Sequence, residues 1–325
     1  MRGESTAILE VDHLKTYFDT RSGIVRAVDD VSFKLEKGES LGLAGESGCG
    51  KTTTALSIIR LLPKNGRIVG GHIRYGDKDL TTIKESELRR LRWKHISIVF
   101  QGAMNALNPV RRVSWQIAEA IALHDHSSFD EAQARVEELL ELVGINPARK
   151  DDFPHEFSGG MRQRVMIAMA LACRPKIIIA DEPVTALDVM IQAQILELLQ
   201  GLKEELDLSM ILISHDLSVI AETCDKVAIM YGGKIAEYGP AADVFRDTQH
   251  PYTQGLIRSF PDIYGPRDLP AWIPGQPPNL LEPPPGCRFH PRCPLAFTEC
   301  MQREPPLYET KSGHFAACLL RGPPA

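Results

Sequence analysis

Eight consecutive residues, Gly45-Glu46-Ser47-Gly48-Cys49-Gly50-Lys51-Thr52, match the spacing G-x-x-x-x-G-K-S/T. They follow an apolar strand-like run at 40–44 and precede a helical stretch at 53–62 that opens with Thr53. Glycines at those places let successive backbone N–H groups wrap phosphate oxygens at a helix N-terminus. Lys51 offers a point charge to the β- and γ-phosphates, and Thr52 can ligate Mg²⁺. A second group closes the apolar run 177–180: Asp181 can hold the hydration shell of Mg²⁺, and Glu182, one residue on, can polarise an attacking water, as phosphoanhydride hydrolysis requires. A third, Ser158-Gly159-Gly160, opens a helical run through 165–173, and a hydroxyl with two side-chain-free amides at a helix start forms an anion site.

The tail carries different chemistry. Cys287, Cys293, Cys300 and Cys318 crowd it with 5, 6 and 17 residues between them, whereas Cys49, Cys173 and Cys224 are scattered, the last expected in a surface turn. With no apolar signal core at the N-terminus, such a set suggests metal before disulfide, and four soft ligands suit either a tetrahedral Zn²⁺ or a 4Fe–4S cluster. Of the 23 prolines, 17 lie from Pro240 onward, which puts a boundary near 240–265. So proline-rich a tail has little core of its own, and a metal cross-link is the reason expected for it to fold.

Elements must hold these groups in place. Residues 7–45 alternate apolar and polar in short stretches broken by Ser22-Gly23 and Lys37-Gly38, the pattern of antiparallel strands. The wholly apolar runs 96–100, 177–180 and 210–213, separated by helix-period stretches, read as parallel strands buried on both faces. Ser128-Phe129-Asp130-Glu131 predicts a capped helix start, and Tyr231-Gly232-Gly233 a hairpin. The 325 residues, 43% hydrophobic and 24% charged with a net charge of −5, disfavour wholesale disorder and a nucleic-acid-coating role. The longest apolar run, 165–173, is too short to cross a bilayer, which takes about 20 residues.

In chain order, the lysine loop, Gln101 after a buried strand, Ser158-Gly159-Gly160, Asp181-Glu182, Ala186-Leu187-Asp188 and His215 resemble the ATP-binding cassette (ABC) ATPases across residues 7–260. That resemblance implies an α/β fold: a RecA-like parallel-sheet core, an antiparallel β subdomain, and a helical subdomain at 102–170. It also implies a head-to-tail dimer with two ATPs sandwiched between subunits. Glu182 and His215 would be catalytic, His215 sensing the γ-phosphate. ATP would meet Gly45, Ser47, Gly48, Cys49, Gly50, Lys51, Thr52, Thr53 and Gln101, with Mg²⁺ on Thr52, Gln101 and Asp181. Ser158, Gly159 and Gly160 would act in trans, and Asp188 would lie on the loop crossing the dimer interface. For the adenine, Tyr17 and Phe18 lie side by side, and the family register, four residues after Leu14, selects Phe18. Phe157 and Met161 depart from the usual LSGGQ at flanking positions.

The segments 101–110, His250-Pro251-Tyr252-Thr253 and 273–278 are similar to the oligopeptide/dipeptide importer branch. This branch implies an ATPase domain at 1–260 and a C-terminal extension at 261–325, with a 4Fe–4S cluster favoured over Zn²⁺ on its four cysteines. The expected role is the motor subunit of a membrane importer for di- or oligopeptides, with nickel or oligosaccharide as alternative solutes. Expected partners are two permease subunits, a homologous but non-identical second cassette and an extracytoplasmic solute-binding protein, at the cytoplasmic face of the membrane and without nucleic acid. The rival class, a soluble cassette ATPase of DNA repair or translation, generally carries two cassettes in one chain, a long coiled coil or inserted zinc modules, none of which the sequence shows.

Overall fold

A computed structural model describes residues 7–102, 106–125, 127–259 and 273–322. Ala103, Met104 and Asn105 of the importer-like segment, and the 260/261 boundary, lie outside the described residues. Along the chain run β1 (Ala7–Thr20), β2 (Gly23–Glu36), β3 (Ser40–Ala44), α1 (Lys51–Ile58), β4 (Gly66–Tyr75), β5 (Lys78–Asp79) and α2 (Glu85–Leu91). Next come β6 (Ile96–Val99), α3 (Val113–Asp125), α4 (Phe129–Leu142), α5 (Gly159–Leu171), β7 (Ile177–Asp181), α6 (Val189–Glu205) and β8 (Ser209–Ile213). The last are α7 (Leu217–Thr223), β9 (Lys226–Tyr231), β10 (Lys234–Pro240), α8 (Ala241–Arg246), α9 (Pro251–Arg258), β11 (Tyr308–Lys311) and β12 (His314–Ala316).

The chain divides into two compact units. One takes residues up to Glu36, from Ser40 to Thr82 and from Ser214 onward; the other takes Lys37–Glu39 and Ile83–Ile213. In the first unit, Leu9, Val11, Leu14 and Thr16 of β1 are buried. β1 pairs antiparallel with β2 and β4, giving the order β2-β1-β4-β5 expected of alternating sequence. Beside this layer runs β11-β12-β10-β9-β3, in which β3 and β9 are parallel and the other pairs antiparallel. The β9–β10 hairpin turns on Gly232 and Gly233, both left-handed.

In the second unit, β6, β7 and β8 are parallel, Ile177 of β7 facing Ile96 on one side and Ser209 on the other. All five residues of β7 are buried, which is why its sequence runs apolar without alternation. The capping box at Ser128 forms as read: Glu131 N–H donates to Ser128 Oγ and Ser128 N–H to Glu131. The α/β class with an antiparallel layer, a parallel set and helices is thus observed. The helix expected at 53–62 instead spans Lys51–Ile58, since the chain turns left-handed at Arg60 ahead of Pro63. Cys224, expected in a surface turn, is buried beneath β3 against Gly42.

Candidate functional site

The first unit carries the lysine loop. Gly45 and Gly50 adopt φ of 140° and 108°, and a Cβ there would lie 2.2 Å from Met230 O and 2.4 Å from Ala27 O, so only glycine fits between the loop and its supporting strands. A Cβ on Gly48 would meet nothing within 4 Å, so the loop is open on that side. Ser47, Gly48 and Thr52 line the exposed face, and Thr53 is half-buried. Cys49 is buried, its thiol pushed up by burial. Lys51, 6% exposed, folds its Nζ back to donate to Gly45 O at 2.7 Å and Glu46 O at 3.1 Å. Both carbonyls belong to the loop itself, so the cation is held within the loop.

Two further sequence candidates lie in this unit. Tyr17 and Phe18 sit on opposite faces of β1. The Tyr17 hydroxyl donates to Asp29 Oδ1 at 2.7 Å, and burial and that carboxylate push its pKa up to about 12. The Phe18 ring packs on Gly66, where a Cβ would come within 2.7 Å of it. His215 is exposed in the turn before α7; this turn is fastened at Ser214, whose N–H donates to Leu43 O at 3.3 Å, near the strand end that feeds the lysine loop.

In the second unit β7 ends in Asp181, 2% exposed, and Glu182 then takes φ of 46°, left-handed for a non-glycine residue. Such strain persists only where the surroundings hold it, and it concentrates at functional positions. The Glu182 carboxylate accepts from Gln101 Nε2 at 2.8 Å and Thr185 Oγ1 at 2.9 Å, so the structure brings Gln101 and Glu182 together. Ser158 caps α5, its Oγ accepting from Met161 N–H at 3.3 Å. A Cβ on Gly160 would lie 2.6 Å from Ile191, whose N–H caps onto Asp188 at 3.1 Å; the glycine helix start and Asp188 therefore meet at the first turn of α6. The unusual flanking residues have a physical partner: Arg149 lies over the Phe157 ring at 4.6 Å and donates to the Met161 sulfur.

Residues that sequence reasoning missed surround the loop. Tyr252 is fully buried, its hydroxyl accepting from Glu46 N–H at 2.9 Å, and burial pushes its pKa far up. Arg292 forms a two-pronged pair with the Glu46 carboxylate at 2.7 and 2.9 Å. Arg288 binds Asp29 and Gly232 O. No local signal marks these pairs. The partners lie 56 residues apart for Arg288 and Gly232 and 206 to 259 apart for the others, and the hint was that charged side chains stand in a tail otherwise read for its cysteines.

The α/β fold, with a glycine-rich loop leading from β3 into α1, is that of the ABC ATPases. An ABC transporter family profile matches residues 28–185, and one for the C-terminal region of oligopeptide/dipeptide transporters matches 236–300. The chain is 48% identical to the oligopeptide transport ATP-binding protein OppD of Escherichia coli, over 97% of this chain and 94% of that protein. It is 46% identical to AppD of Bacillus subtilis, over 97% of both. A dimeric ATP-binding cassette solved after hydrolysis with ADP and Pi bound superposes with a TM-score of 0.64 at 26% identity, covering 72% of this chain and 98% of that one. The chain belongs to the oligopeptide/dipeptide transport family of ABC ATP-binding subunits, ATPases coupled to transport that work with membrane permeases and as paired cassettes. Among the described residues no helix is long and apolar enough to cross a membrane.

The expected metal centre is corrected. Cys287, Cys293, Cys300 and Cys318 line one small cavity with Leu295, Leu319 and Leu320, yet among the described residues no group of three or more His, Cys, Asp or Glu side chains could hold a metal ion. The names of the relatives above mention no iron–sulfur protein. Burial pushes the Cys287 thiol up to about 11 and raises those of Cys293 and Cys318. The tail also has packing partners of its own. Phe289 packs edge-on to Tyr231 at 5.1 Å and against Tyr252 at 5.3 Å, and β12 adds to β10.

Proposed function

We propose that this chain is the ATP-hydrolysing subunit of an importer of di- or oligopeptides, seated at the cytoplasmic face of the membrane. The observation that carries the substrate class is near full-length similarity to oligopeptide transport proteins, together with the match of residues 236–300 to their C-terminal region. Residues 1–260 form the ATPase domain and 261–325 the extension. Lys51 and the amides from Gly45 to Thr53 receive the phosphates, and Phe18 offers its face to the adenine. Thr52, Gln101 and Asp181 would hold Mg²⁺, which would neutralise phosphate charge. Glu182, preset by its strained backbone, orients water, and His215 reports the γ-phosphate.

Ser158, Gly159, Gly160 and Asp188 serve a second cassette, homologous and non-identical. Two permeases and an extracytoplasmic binding protein complete the assembly. Supporting the trans role, the Ser158 helix start is exposed and assembled within its own segment, with no contribution needed from the nucleotide it meets. Reconstitution with the permeases and binding protein tests the reading. ATP-dependent uptake of a labelled tripeptide, competed by other peptides, is expected; uptake of Ni²⁺ or an oligosaccharide instead would overturn the peptide assignment.

A further inference from the structure

We propose that Arg292 of the C-terminal extension is a positioning residue for nucleotide binding, acting through Glu46 of the lysine loop. The inference rests on the reading of residues 45–52 as the phosphate loop. Arg292 grips both carboxylate oxygens of Glu46, and its side chain is 6% exposed against 24% for the glutamate. Its remaining donors reach Pro274 O at 2.8 Å and Ile273 O and the Tyr231 hydroxyl at 3.3 Å, so the guanidinium is fixed on the extension side before it meets the loop. A planar, two-pronged, largely desolvated contact transmits orientation as well as charge.

Glu46 is also held at its backbone, where its N–H donates to Tyr252 and its carbonyl accepts from Lys51. The second residue of the loop is therefore fastened at side chain, amide and carbonyl, and the last of these partners is the phosphate-binding lysine. A second line from the extension ends on the same loop. Arg288 holds Gly232 O, and the adjoining Gly233 donates its N–H to Cys49 O at 2.9 Å. Two arginines four positions apart in the extension thus brace the loop at its second and fifth residues, so that its amides converge before nucleotide arrives and less ordering is left to the binding step.

The test uses the purified full chain, with Glu46→Gln, Arg292→Gln and the double variant. Glutamine at 292 keeps a donor for the carbonyls of 273 and 274, and each variant is checked for folding by circular dichroism and melting. Titration with ATP should give a Kd about tenfold weaker for either single variant, with the double no worse than the weaker single, because both remove one coupling. In the assembled transporter KM for ATP should rise while kcat stays within about twofold. Should Arg292→Gln fail to fold, Arg292→Lys, which keeps the charge and loses the fork, is expected to weaken ATP binding less than Glu46→Gln does. Wild-type affinity in a folded Glu46→Gln chain, additive losses in the double variant, or tighter binding on cutting the pair would each overturn the proposal. Lys51→Ala separates the two readings. If it binds ATP as wild type does, residues 45–52 are not the phosphate loop; if it loses ATP while Glu46→Gln does not, the loop stands and the bracing role falls.

Discussion

The lysine loop and the Ser158 helix start both present backbone amides at the head of a helix, but they are held in different ways. The helix start is assembled from its own neighbourhood: a cap three residues long, a glycine against Ile191 and an arginine nine residues upstream of the serine. The lysine loop depends on Ala27, Met230, Tyr252 and Arg292, drawn from most of the length of the chain. The consequence is a division of failure. Changes around β7, α5 and α6 should damage turnover or subunit pairing and leave ATP affinity alone, whereas changes in the distant braces of the loop should reach affinity first.

The largest expected effect is in Glu182→Gln. The amide keeps the Gln101 and Thr185 neighbourhood but cannot polarise water, so hydrolysis in the assembled transporter should fall by about three powers of ten or more, with ATP affinity unchanged. Activity within a few-fold of wild type would break the division at its strongest point. Ser158→Arg comes next: ATP binding by the single subunit should be intact while ATP-driven dimerisation, followed by light scattering, disappears. Dimerisation equal to wild type would remove the trans role from the helix start.

A third test concerns the supports of the loop. His250 is buried and its Nδ1 accepts from Tyr252 N–H at 3.0 Å; burial lowers its pKa to about 4, below the value near 6.5 of an unfolded chain. Between those values the unfolded chain binds the proton that the folded chain refuses. The stabilisation is complete above about pH 6.5 and falls as pH drops, reaching a loss of about 3 kcal/mol near pH 4. His250→Asn keeps an acceptor for the cap without titrating, so its denaturant midpoint should be flatter across that window; equal slopes in both chains would dismiss the histidine as the acid-sensitive support. The smallest effect belongs to Asp188→Ala, which deletes the cap on Ile191 and should lower stability by about 1 kcal/mol in urea unfolding. A Kd for ATP that moves with it would blur the division.

What could be read from the sequence follows the same line. The capping box at Ser128 and the Gly232–Gly233 hairpin rest on interactions a few residues long, and the runs that became β6, β7 and β8 were legible as local apolar stretches although their pairing joins distant parts of the chain. The glycines of the lysine loop were legible as a motif, but not the carbonyls of Ala27 and Met230 that forbid a side chain there. Gln101 was placed as a Mg²⁺ ligand by its order in the chain, and its hydrogen bond to Glu182, 81 residues on, could come only from tertiary structure. The tail misled for a related reason: four cysteines announce themselves by spacing, whereas Phe289, Arg288 and Arg292 look like ordinary surface residues until their partners in the first 50 residues and in the β9–β10 hairpin are known.

The pairing of β12 with β10 has a consequence for how the protein is made. β10 emerges from the ribosome about 75 residues before its neighbour, so a growing chain has for some seconds an unpaired edge at Glu237 and Tyr238, at the roughly 5–20 residues per second of synthesis. During that interval the Glu237 carboxylate, buried in the finished fold, has the N–H groups of Gln249 and His250 but lacks His314 Nε2, which later sits 2.8 Å away. The final strand therefore closes a sheet edge and completes the solvation of a buried acid in a single step, and a chain released before residue 314 would carry both defects into the cell.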